Sequence, residues 1–176
     1  DPGPLLDCLR RQQFAEANGW KPDDPAYGGW GMGGPLRRPP HAGRLDLSMT
    51  RYVLQAFPAD DPVCRKAEIF LRRCQNPDGG FLFSPVILDA NKAGSASYGT
   101  TTADGVLALL ATGAGPEDSR VQAALRWLVK NHRTDRVPGF EDGNRWAEGM
   151  IFYYLAASAE AFRRLGVEEA PAGRDW

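Results

Sequence analysis

Two aspartates of this chain stand near the starts of helical patterns, where a carboxyl group can serve as an acid. Asp46 opens Asp46-Leu47-Ser48-Met49-Thr50, and Asp104 lies inside Thr100-Thr101-Thr102-Ala103-Asp104-Gly105. Asp104 follows Thr100 by four residues and Thr101 by three, so on a helix these polar groups share one face. Burial raises a carboxyl pKa and suits it to general-acid work, which makes both aspartates catalytic candidates. Each also has a structural reading. Asp46 sits where a helix N-cap or first-turn acid belongs, and Asp104 can belong to a hydrogen-bonded cluster that holds the preceding 93–97 loop.

Aromatic and cationic residues supply the candidate ligand contacts. Tyr52, Tyr98, Trp146 and Tyr153 lie on or beside helical patterns, Phe152 and Tyr154 accompany them, and Thr101 shares the Asp104 face. Their rings can line an apolar pocket or stabilise a cation, and they can equally be core. Arg44 ends the positively charged loop 36–44, which also holds Arg37, Arg38 and His41. Such a loop can meet a diphosphate or be a solvated run. The two histidines, His41 and His132, and the three cysteines, Cys8, Cys64 and Cys74, have no metal-site spacing, so neither zinc nor a cofactor is expected. No phosphate-binding glycine loop, Gly-x-Ser-x-Gly elbow or His-Glu-x-x-His motif is present.

The elements that must position these residues repeat along the chain. A helical pattern ending at Gln13 leads to Gly28-Gly29-Trp30; one ending at Gln75 leads to Gly79-Gly80-Phe81; a third, through Leu128, leads to Pro138-Gly139-Phe140. The matched leucines Leu9, Leu71 and Leu128 lie 62 and 57 residues apart. The periodicity predicts outer helices over 5–13, 62–75 and 117–132, and inner helices over 45–57, 98–112 and 146–164. Within 62–75, Ala67, Phe70, Leu71 and Cys74 form a buried stripe. Cys64 and Cys74, about 15 Å apart along that helix, are too distant for a disulfide. The only β character falls in 81–88, as an extended loop or short strand. The expected fold is all-α, built from helix hairpins over 1–166, with a polar tail over 167–176.

The segments Lys66-Ala67-Glu68-Ile69-Phe70-Leu71 and Gln75-Asn76-Pro77-Asp78-Gly79-Gly80-Phe81 resemble the Gln-Trp repeat of squalene-hopene cyclases, with Phe in place of the final Trp. Gln13 with Gly28-Gly29-Trp30 is similar, with a long insertion. The resemblance runs from Leu5 to about Leu165. It implies an α/α toroid, shared with the protein prenyltransferases, in which inner helices line a central cavity; three hairpins make a half-ring or a fragment. In the cyclases an Asp-x-Asp-Asp-Thr-Ala segment supplies the proton. Aligned on Thr102-Ala103, this chain has Tyr98, Thr100 and Thr101 in place of the three aspartates, and a hydroxyl is far too weak an acid for that step. Asp46 retains one aspartate of the same pattern.

A formal net charge of −1 gives no electrostatic footprint for nucleic acid. Apolar runs such as 106–111 fall short of a membrane span. An odd cysteine count points to free thiols and a cytoplasmic location, unless an export signal has been removed. The resemblance implies a squalene-cyclase-like protein that binds a hydrophobic, isoprenoid-type ligand in an inner-helix cavity, with terpene-cyclase catalysis open because the proton-donor motif is missing. The alternative is a non-catalytic interaction or structural module. A half-ring exposes apolar edges, so a homodimer or the remainder of a longer chain is the expected partner.

Overall fold

Three aspartates start three of the helices in the computed structural model, which describes residues 2–167. Asp46 accepts a hydrogen bond from Met49 N at the head of α2 (Leu47–Leu54). Asp61 accepts from Val63 N ahead of α3 (Pro62–Cys74), where proline takes the first helical position. Asp118 accepts from Arg120 N and Val121 N ahead of α5 (Ser119–Asn131). With α1 (Gly3–Gln12), α4 (Gly99–Ala111), α6 (Trp146–Gly149) and α7 (Ile151–Arg164) they make seven α-helices, with no strand among the described residues. No described helix is long and apolar enough to cross a membrane.

The packing is organised around α4. Every residue from Gly99 to Leu109 is buried, and α4 packs against α2, α3, α5 and α7. A helix buried on all sides carries little amphipathic signal. By contrast, α3 buries one stripe, Val63, Cys64, Ala67, Phe70, Leu71 and Cys74, as its periodicity requires.

The two glutamines do the same work in two places. Gln13 Nε2 donates to Gly28 O and Val63 O, both at 2.9 Å, and Gln75 Nε2 donates to Gly79 O and Arg120 O, both at 3.0 Å. Gln13 therefore ties its own glycine loop to the second residue of α3, and Gln75 ties its loop to the second residue of α5. Gly28 and Gly79 both have φ of +91°, and a Cβ there would lie 2.1 Å from Lys66 O or 2.6 Å from Ala123 O. Glycine is required at both for conformation and for close approach. The aromatic that follows is locked alike: Trp30 N donates to Thr50 Oγ1 at 3.0 Å, and Phe81 N donates to Thr102 Oγ1 at 3.1 Å. In the third segment His132 stands four residues after Leu128, as the glutamines do after Leu9 and Leu71; its Nδ1 lies 3.0 Å from Tyr154 Oη.

Several boundaries differ from expectation. The first inner helix runs only over 47–54, because Leu45 is held in a bridge to Gly31 and Ala56 and Phe57 turn back onto Val53 O and Leu54 O. The last inner helix breaks at Met150, after Gly149, a weak helix former. The 81–88 segment is a loop closed by Asn91, whose Oδ1 accepts from Phe83 N and Ser84 N while its Nδ2 donates to Ser84 O. Of the expected tail only Val167 lies within the described residues; the rest lies outside them.

Candidate functional site

Two open cavities adjoin at the N-terminal ends of α2, α4 and the α6–α7 pair, and Phe83 and Lys92 line both. The first, of about 600 Å³, is bordered by Arg44, Asp46, Arg145 and Trp146. The second, of about 350 Å³, is bordered by Ser48, Met49, Tyr52, Tyr98, Phe152 and Tyr153. The first mixes charged and apolar groups; the second is mostly aromatic and apolar.

Behind the second cavity lies a polar knot. Asp104 is fully buried on α4, and its carboxylate accepts from Ser48 Oγ at 2.6 Å and from Tyr153 Oη at 2.9 and 3.0 Å. Arg51 Nη1 lies 3.8 Å from Asp104 Oδ1, and its guanidinium sits 4.3 Å from the centre of the Tyr52 ring. Side chains of α2, α4 and α7 thus meet at one carboxylate. Burial pushes the Asp104 carboxyl up to about 6, against the Ser48 and Tyr153 hydrogen bonds and the Arg51 charge, which hold it down. Tyr153 is raised by its own burial and then by the Asp104 charge. Asp46 is raised by burial, opposed by the backbone N–H of Met49 and by the Lys92 charge.

The structure gathers most of the residues nominated from sequence. Arg44, Asp46 and Trp146 border one cavity, while Tyr52, Tyr98 and Tyr153 border the other. Asp46 is also the N-cap of α2. Asp104 reaches the cavity only through Ser48 and Tyr153, which stand in front of it. Thr101 borders neither cavity: its hydroxyl donates to Phe81 O at 2.6 Å, whereas Thr100 borders the second. One position along a helix turns a side chain by about 100°, which separates the two threonines.

Ser48, Arg51, Phe83 and Lys92 were not singled out from sequence. Ser48 and Asp104 are 56 residues apart, and no local pattern links them. Phe83 and Lys92 come from a loop whose path is set by hydrogen bonds of Asn91, Ser84 and Asn144 and by Leu47 N on Phe83 O. His41 is exposed and His132 caps α5. Among the described residues no three His, Cys, Asp or Glu side chains gather as a metal-binding group. The chain matches no protein-family model, no curated protein and no solved structure.

Proposed function

We propose that this protein binds a hydrophobic, isoprenoid-type ligand in the aromatic cavity, on an arrangement of helix hairpins like that of the squalene-cyclase toroids. In this reading α1, α3 and α5 are outer helices, and α2, α4 and α7 are inner helices curving around the site. The single observation that carries it is the cavity bordered by Met49, Tyr52, Phe83, Tyr98, Phe152 and Tyr153 where the three inner helices converge. Apolar and aromatic walls with a few polar groups suit a ligand of this size and character. The Gln and Gly-Gly-aromatic spacing supports the toroid part of the reading.

Binding is favoured over cyclisation. Asp104 is a weaker acid than an ordinary carboxyl and is screened from the cavity by Tyr153 and Ser48, whereas protonating an alkene calls for a strong acid facing it. Fluorescence or calorimetric titration with farnesol, geranylgeraniol and squalene tests the reading, with product analysis by gas chromatography. Saturable binding without conversion is expected; no binding of any of the three overturns it.

A second reading, a protein-interaction module, is favoured by the rim of the same cavity. Phe152 is 85% exposed and Tyr52 51% exposed, an unusual display for large rings. Sedimentation at rising concentration separates the readings: self-association abolished by Phe152→Asp supports the module.

A further inference from the structure

Among the described residues Lys92 is the one cation that borders both cavities. Its Nζ lies 4.5 Å from the centre of the Phe83 ring and 5.2 Å from that of Trp146. Among the described residues no carboxylate lies within 4.0 Å of it. Its backbone is pinned: Asn91 is tied to residues 83 and 84, and Asn144 Nδ2 donates to Lys92 O at 3.4 Å. The amine is therefore held against two rings at the mouth of an apolar cavity, without an ion-pair partner.

We propose that Lys92 is a carbonyl-reactive lysine, whose amine condenses with an apolar aldehyde or ketone lying in the aromatic cavity to form a Schiff base. The neutral amine nitrogen attacks the carbonyl carbon, forming the C–N bond while the carbonyl oxygen gains a proton. Loss of that oxygen as water then gives the imine, so amine and carbonyl enter and imine and water leave. Only the neutral amine is nucleophilic: burial lowers the Lys92 pKa and the Arg44 charge adds to this, while the Asp46 charge and the faces of the two rings favour the ammonium. Asp89 and Arg145 border the same cavity, with Arg145 stacked on Trp146 at 4.9 Å. Asp46 borders the first cavity together with Lys92 and acts on its charge, so it is the group suited to take the amine's proton there.

The selectivity for a long apolar chain rests on the ligand reading above; the reactivity of the amine does not. The chain has four lysines, so Lys21, Lys66 and Lys130 serve as internal controls. The whole chain is treated at neutral pH with limiting propanal or decanal and cyanoborohydride, and the alkylated lysines are mapped by peptide mass spectrometry. Lys92 should be alkylated several-fold faster than the other three by either aldehyde, and faster by decanal than by propanal. Lys92→Arg, which keeps the cation over both rings, should abolish the fast site with the fold intact by circular dichroism. Equal labelling of all four lysines overturns the proposal. Selective labelling of Lys92 without chain-length preference upholds the reactive amine and overturns its apolar-carbonyl selectivity, while the ligand reading stands or falls on the isoprenoid titration.

Discussion

Tyr153 gives its phenolic hydroxyl to both oxygens of the Asp104 carboxylate, at 3.0 and 2.9 Å, across 49 residues of sequence. This joins α7 to α4, while Ser48 joins α2 to the same carboxylate. Breaking either bond leaves a buried charge less well satisfied. Tyr153→Phe and Ser48→Ala should each lower unfolding free energy by roughly 1–3 kcal/mol, read from urea midpoints.

Stability should also depend on pH through Asp104. Its folded pKa, raised from 3.8 to about 6, means the folded state holds a proton that the unfolded state has released across that window. The contribution is fully present below the unfolded pKa and is lost as pH rises through the folded one. Between about pH 4 and pH 6 the loss is on the order of 2 kcal/mol. Asp104→Asn should remove this slope; urea melts of both proteins across the window check it, and parallel curves would refute it.

The glutamine clamps predict a graded series. Gln13 is buried and donates to two carbonyls from different segments, Gly28 and Val63. Gln13→Ala should cost roughly 1–3 kcal/mol by leaving those acceptors dry. Gln13→Glu should cost more, because an acceptor-only carboxylate would then face two carbonyl oxygens. Thermal melts of the two variants give the order.

Positive φ and crowding can be separated with two glycines. Gly28 has φ of +91° with Lys66 O 2.1 Å from a new Cβ, whereas Gly34 has φ of +89° with nothing within 4 Å. Gly34→Ala should cost about 1–2 kcal/mol from the backbone alone. Gly28→Ala should cost well beyond that, since α3 must move away from the loop. Equal effects in denaturant melts would show that close approach contributes nothing.

The cavity rim predicts a change in binding without a change in folding. Phe152 is 85% exposed, so Phe152→Ala should leave the melting temperature almost unchanged. Loss of its ring should weaken isoprenoid binding on the order of tenfold, read by the same titration as for the parent protein.

What could be read from the residues was local. The stripe of α3 and the aspartate cap at Asp46 act over a few positions, as do the prolines and glycines that end each element. The Gln and Gly-Gly-aromatic segments marked a repeated device, although that Gln13 reaches α3 and Gln75 reaches α5 appeared only in the packed structure. The late start of α2 depends on contacts made beyond the helix itself, the bridge of Leu45 to Gly31 and the bond from Asp46 N to Trp30 O.

The site belongs almost wholly to the tertiary structure. Because α4 is buried on every side, its sequence does not say which way it is rotated, and that rotation sends Thr100 to the cavity and Thr101 to Phe81. The composition and spacing of the chain determined that it is helical, where its loops lie and which carboxyls were worth weighing. Packing alone decided that Ser48, Asp104 and Tyr153 meet and that Lys92 lies between two cavities. Hydrogen bonds and charges act over a few ångströms of space, and helices distant in sequence come that close only when their buried faces are joined.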